Sequence, residues 1–492
     1  MTDNMRNEVQ QSGLIPVPRE LVRKSGLQYV LDRLSPMSPF GAEILANFAI
    51  FADGEALVRE RRMVSELAGS ADFRELRDEL DIPLMRLRDI RGSLSRCARG
   101  EDLLITELFE LKVFVLLLRR IREIRGRNPA LCRIELPDPG QVLSLLDPSG
   151  KGEERYRIED DASPELKEIR KEKRQVESLI YAAKDSAEKE KFRAQRDQIC
   201  GAEEAEERRL LHEISAGLSG LCGDLTRSCG ALGHIDILLR KADMLGSQET
   251  VIPERAEEII FRDMINPEIA AQVEESGGSF VPVSIELSRG AAVITGANMG
   301  GKTVSLKSLA LNTLLAMGGY PVYARNAALP DISRVMLLSG NAEDHERGLS
   351  SFGGEVVRIK DAVDKAGPGT LLLLDEPAGG TNPDEGAAIV RGLVTYLNGR
   401  EAFSVIATHY DRVAPCAGRN YRIKGLQGED PEKIKSEIEN SASGVQVIAR
   451  HMNYGLYPCS AEEESPREAL LICRLLGLQG DLMECIEQQY SE

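Results

Sequence analysis

Residues 291–303 read Ala291-Ala292-Val293-Ile294-Thr295-Gly296-Ala297-Asn298-Met299-Gly300-Gly301-Lys302-Thr303. The first five residues are small, apolar or β-branched and predict a buried strand. They run straight into a G-x-x-x-x-G-K-[ST] loop, and a helix-forming run follows to Met317. That strand–loop–helix order is the setting in which such a loop binds phosphate. Gly296, Gly300 and Gly301 leave room for backbone N–H groups to converge on an anion. Lys302 adds a cation between β- and γ-phosphates, and Thr303 offers a hydroxyl to Mg²⁺.

Three further stretches complete a pattern. Leu371-Leu-Leu-Leu374-Asp375-Glu376-Pro377 is an apolar strand ending in two acids, a Walker B arrangement in which Asp375 holds Mg²⁺ and Glu376 polarises a water. Phe403-Ser-Val-Ile-Ala407-Thr408-His409 is a strand ending in an imidazole that can reach a γ-phosphate. Gly348-Leu-Ser350-Ser351-Phe352-Gly-Gly-Glu355 carries two candidate N-caps for a helix continuing through Lys360. The N-terminus of that helix offers N–H groups and a hydroxyl to a phosphate, which would come from a partner chain. Strand-like runs at 280–285, 291–295, 371–374 and 403–407 alternate with helices, the signature of a parallel α/β sheet. The expected fold is an α/β P-loop NTPase domain preceded by an all-α core and lever domain.

The upstream half fits the second part of that expectation. Glu101 to Arg125 has no Gly or Pro and predicts a central buried helix. Turn signals crowd 137–152, after which Ser163 caps a helix with Pro164 at its first position. The charged stretch to about Arg209 has a thin apolar seam of Leu166, Ile169, Val176 and Leu179, which predicts a long antiparallel helical pair. His234 to Leu245 is amphipathic. The expected segments are a helical core (1–155), a lever pair (156–250), the ATPase (251–460) and C-terminal helices of the ATPase and dimer module (461–492).

Composition narrows the partners. The net charge is −17 and neither half is basic, which excludes a protein that coats DNA by charge. Aromatics make up 4 % and Trp is absent, so an extensive base-stacking platform is not expected. The nine Cys are scattered and never form Cys-x-x-Cys, as in a reduced protein with neither a disulfide framework nor a zinc site. The N-terminus has no apolar leader, and the densest apolar run, Val113–Leu118, is too short to span a bilayer. A cytoplasmic protein with no membrane partner is expected.

Together the four stretches resemble the MutS family of ATPases, relatives of the ABC ATPases. The loop is similar to that family's Gly-Pro-Asn-Met-Gly-Gly-Lys-Ser, with Ala297 for Pro and Thr303 for Ser. Gly-Leu-Ser-Ser-Phe is similar to its signature, and Ala-Thr-His-Tyr to its histidine switch. The resemblance implies ATP and Mg²⁺ as cofactors. It places Phe280 against adenine, and Gly296, Asn298, Met299, Gly300, Gly301, Lys302 and Thr303 around the phosphates. Thr303 and Asp375 would hold the metal, with Lys302, Glu376 and His409 as catalytic residues. It also implies a homodimer, or a heterodimer with a related MutS-like chain, in which Ser350 and Ser351 complete the site of the partner. The N-terminus leads straight into helices, with Phe73-Arg-Glu75 inside a helical run, so neither a mismatch-reading domain nor an Smr nuclease segment is expected. In that it resembles the short MutS-like reactivating factors of lysine 5,6-aminomutase and ornithine aminomutase. Two functions follow: an ATP-driven remodeller of a protein client such as an adenosylcobalamin-dependent aminomutase, or an ATP-gated DNA clamp in mismatch repair or recombination.

Overall fold

The structure is a computed structural model that describes residues 13–148, 150–154, 158, 160–246, 249–296, 301–339, 351–410, 413–426, 430–439, 444–460 and 468–491. The chain forms two compact units. One comprises residues 1–34, 47–65 and 243–492, and the other 35–46 and 66–242. The N-terminal segment expected to be one helical core is therefore divided between the two.

The first unit is built on a six-stranded sheet. Its strands are β1 (Gly290–Thr295), β2 (Arg334–Ser339), β3 (Thr370–Asp375), β4 (Phe403–Ala407), β5 (Arg419–Gly425) and β6 (Asn453–Pro458). Their order is β2-β3-β4-β1-β5-β6, parallel except for β6, which pairs antiparallel with β5. Every residue of β1, β3 and β4 is buried, which is why these runs are continuously apolar rather than alternating.

Three helices frame this sheet: α1 (Gly301–Met317), α2 (Ser351–Asp364) and α3 (Pro383–Asn398). Helix α1 is apolar on nearly every side and buries all of Ser308–Met317, as a helix sunk in a core does. Helix α3 starts on the Asn382 side chain, which accepts the Asp384 N–H, with Pro383 at its first position. It buries Val390, Val394 and Leu397 against Val293, Leu372, Leu374 and Ile406 of the sheet. At its far end the Asn398 Oδ1 accepts the Ala291 N–H at 2.9 Å, fixing the start of β1.

A second, four-stranded sheet has the order Glu254–Arg255, Asn326–Leu329, Ile259–Met264, Val283–Leu287. The strand expected from Phe280 begins only at Val283, because Pro282 has no N–H to give to a ladder. The N-terminal segments belong to this unit through specific contacts. Arg61 donates to Pro253 O and to Ala316 O at the end of α1, at 3.2 and 2.9 Å. Phe48 packs on Tyr320 with ring centroids 5.7 Å apart, and the Asn266 amide donates to Ser25 O at 3.0 Å.

The described elements of the second unit are helical. The expected central helix spans Ile105–Arg125, and the charged pair spans Pro164–Ala182 and Ser186–Ser219. The Ser163 Oγ accepts the Leu166 N–H at 2.9 Å, as its capping role requires. Arg170, 4 % exposed, crosses this hairpin to Asp160, Glu203 and Glu207. Lys173 pairs with Glu203, and Arg196 with Glu177. Among the described residues, no helix of the chain is long and apolar enough to cross a membrane.

Candidate nucleotide site

The site is assembled at the C-terminal ends of the adjacent strands β3, β4 and β1, where ligands bind in open parallel sheets. Strand β1 ends at Gly296, whose φ of +137° strains any side-chain-bearing residue and whose Cβ would lie 3.2 Å from that of Ile423. Gly301 opens α1 equally tightly, since a Cβ there would sit 3.3 Å from the Tyr454 ring of β6. These glycines seat both ends of the phosphate loop against β5 and β6.

Lys302 is buried, with its ammonium 2.6 Å from Gly296 O and 2.9 Å from Glu376 Oε1. One turn position on, Thr303 Oγ1 donates to Asp375 Oδ2 at 2.8 Å. The other carboxylate oxygen, Asp375 Oδ1, is buried and has no hydrogen-bond partner among the described residues. Burial pushes the Asp375 carboxyl above the usual range, and the Thr303 hydroxyl opposes that shift. A buried orphan oxygen beside a threonine hydroxyl suits a hard divalent cation. A buried lysine in the first turn of a helix that opens on a glycine suits a phosphate.

Glu376 follows β3 in the left-handed region, at φ +49°. Its N–H donates to Ala407 O at 2.9 Å, which holds its backbone to β4. Its Oε2 lies 2.6 Å from His409 Nδ1 and accepts the His409 N–H at 3.2 Å. The His409 ring packs on Tyr410 with centroids 4.5 Å apart.

The structure therefore brings together Lys302, Thr303, Asp375, Glu376 and His409. Phe280 is half-buried in the segment before the Val283–Leu287 strand. Its neighbour Val281 lies beside Gly455 of β6, the strand whose Tyr454 lies against Gly301. Asn298, Met299, Gly300 and Ser350 lie outside the described residues, as does the side chain of Ser351, which opens α2.

Two residues near the site carried no expectation. Glu355 Oε1 accepts the Ala378 N–H, and Tyr410 OH donates to Ala378 O, each at 2.9 Å. Both stood within or next to quoted stretches, but only the tertiary fold aims them at the loop after Glu376.

Such an α/β unit, with a lysine, a threonine–aspartate pair and a glutamate–histidine pair at one sheet end, is of the nucleotide-binding class. Residues 292–460 of this unit match the family model of MutS domain V. The chain is similar to Endonuclease MutS2 of Pelotomaculum thermopropionicum, 30 % identical over 239 residues, which is 47 % of this chain and 29 % of the relative. It is also similar to Endonuclease MutS2 of Streptococcus pneumoniae strain Taiwan19F-14, 31 % identical over 205 residues, 41 % of this chain and 26 % of the relative. The match spans less than a third of the length of these curated relatives.

Proposed function

We propose that this chain is a Mg²⁺-dependent P-loop ATPase working as a dimer, and that hydrolysis moves its helical hairpin against a protein client. The observation that carries the ATPase reading is the continuous line Lys302–Glu376–His409, at 2.9 and 2.6 Å, beside the Thr303–Asp375 pair.

Bound Mg²⁺ would draw charge from the β- and γ-phosphates. Thr303 and the free oxygen of Asp375 are the residues to hold it. Lys302, in turning its ammonium toward a phosphate, releases Glu376 Oε1, and that oxygen can then orient a water. His409 keeps the other oxygen of Glu376 in place. Phe280 is assigned to the adenine. Ser350 and Ser351 are assigned to the partner's phosphate, in a homodimer or beside a related MutS-like chain. Phosphate release that needs Mg²⁺ and disappears in Lys302→Ala tests this reading, and its absence in the wild-type chain overturns it.

A protein client is favoured by the hairpin. Its basic residues were the feature that suggested DNA, and of the twelve between residues 167 and 209 the five Arg170, Lys173, Arg174, Arg196 and Arg209 are engaged by acids of the same unit. Cations already neutralised release few counterions on meeting DNA. An adenosylcobalamin-dependent aminomutase as that client rests on the resemblance alone. The second reading, an ATP-gated DNA clamp, is favoured by the relatives, both named Endonuclease MutS2. Fluorescence anisotropy at physiological salt with duplex, mismatched and four-way-junction DNA separates the two. Weak, salt-sensitive binding supports the protein client, and tight, nucleotide-dependent binding supports the clamp.

A further inference from the structure

We infer that Glu355 is a positioning residue that couples helix α2 to Glu376, so that nucleotide held by the partner protomer sets the catalytic loop of this one. The inference rests on the proposed dimeric ATPase and deepens it.

The loop after β3 is held in an unfavourable backbone shape. Glu376 and Ala378 have φ of +49° and +64°, and neither is glycine. Left-handed geometry at two of three consecutive residues persists only where the surroundings impose it. Here the clamp is visible. The Ala378 N–H is taken by Glu355 Oε1 and the Ala378 carbonyl by the Tyr410 hydroxyl, both at 2.9 Å. Pro377 lies between the two strained residues, so a change at Ala378 is passed to Glu376 through a stiff link.

The two ends of this clamp differ in freedom. The Tyr410 hydroxyl is packed against Gly386 of α3, so closely that a Cβ there would lie 2.3 Å away. Glu355 instead rides on α2. One side of α2 faces a cavity of about 290 Å³, lined by β2, the Arg19–Lys24 helix, Glu355, Ile359, Asp375 and Pro377. On its outer side Val356 and Val357 are 44 % and 61 % exposed. A helix with a half-open cleft on one side and open surface on the other can shift by the small steps that switches use. Helix α2 starts at Ser351, and Glu355 lies about one turn further on. Whatever engages the start of α2 therefore moves Glu355, and through Ala378 moves Glu376.

The test combines kinetics with amide exchange. Glu355→Ala removes the acceptor and is expected to lower kcat at least tenfold, with ATP affinity and thermal midpoint little changed. Glu355→Gln keeps an acceptor oxygen and is expected to restore kcat to within about threefold. Exchange of the Ala378 amide reads the clamp without any turnover, and should speed up in the Ala variant and not in the Gln variant. For the link between protomers, an isotope-labelled Lys302→Ala protomer is mixed with unlabelled wild type. A non-hydrolysable ATP analogue should protect Ala378 in the labelled protomer, whose own site cannot bind it. The inference is overturned by wild-type kcat in Glu355→Ala, by an equal loss in Glu355→Gln, or by no protection in the mixed dimer. Absence of ATP hydrolysis by the wild type, with exchange still dependent on Glu355, overturns the functional reading and leaves the clamp standing.

Discussion

Thr303 and Asp375 are joined by one hydrogen bond of 2.8 Å that satisfies only one side of the carboxylate, leaving Asp375 Oδ1 buried without a partner among the described residues. A group with a pKa raised by folding contributes stability that is complete below its unfolded value, near 3.8, and lost as pH rises through the raised value. At neutral pH the ionised Asp375 thus opposes folding until a cation reaches it. Asp375→Asn is expected to raise the thermal midpoint at pH 7. The gain should shrink toward pH 4, and Mg²⁺–nucleotide should no longer stabilise the variant. Calorimetry across pH checks this, and a lower midpoint at pH 7 would contradict it.

Glu376 and Lys302 share a contact but have separable roles. Glu376→Gln is expected to keep ATP bound and slow hydrolysis by about 10²-fold, the usual effect of losing one positioned catalytic group. Lys302→Ala should abolish productive binding. Single-turnover kinetics beside equilibrium binding of a fluorescent ATP analogue distinguishes the two losses.

Gly386 has no space for a methyl group, because its Cβ would meet the Tyr410 hydroxyl at 2.3 Å and Ala378 O at 3.2 Å. Gly386→Ala is expected to displace Tyr410 from Ala378. Its kcat should fall at least as far as that of Tyr410→Phe, which loses one hydrogen bond of about 1 kcal/mol, roughly a fivefold change. A Gly386→Ala protein more active than Tyr410→Phe would show that the hydroxyl does not hold the loop.

Arg170 is the hub of the hairpin, with three carboxylates around a guanidinium that is 4 % exposed. Arg170→Ala should destabilise the hairpin by about 2–3 kcal/mol. That is below the full figure for breaking a buried pair, because Asp160 and Glu207 are partly solvated. The loss of helical signal in urea should begin at lower denaturant than in wild type.

The thiols should react in two classes. Burial pushes Cys222 and Cys229 up to about 12 and raises Cys97, so these remain protonated at pH 8. Cys132 and Cys485 are exposed. A disulfide reagent at pH 8 should modify the exposed pair within the mixing phase and the buried three only on unfolding, which peptide mass mapping resolves.

What the sequence made legible was local or strongly periodic. The strand–loop–helix at 290–317, the acidic pair ending β3, and the Ser163-capped hairpin all carry their signal within a few residues. The placement of β1 between β4 and β5 was not legible, because strand order depends on pairings of distant segments. The strands Ile259–Met264 and Asn326–Leu329 went unread for a related reason: they are short and partly exposed, and they pair across some sixty residues. Within the site, Lys302, Thr303, Asp375, Glu376 and His409 announced themselves by type and spacing. Glu355 and Tyr410 did not, because each acts through a backbone group of Ala378 that no side-chain pattern marks.

The bond from Arg61 to the last turn of α1 bears on how this protein can be handled. A gene fragment cut at residue 243, where the α/β part of the chain resumes, would not yield a separable α/β unit. It would strip the guanidinium from the carbonyl of Ala316, bare the Tyr320 ring that Phe48 covers and leave the amide of Asn266 without Ser25. This unit is discontinuous in the gene though continuous in space. Its portable form would be one in which residues 13–34 and 47–65 are tethered back onto 243–492.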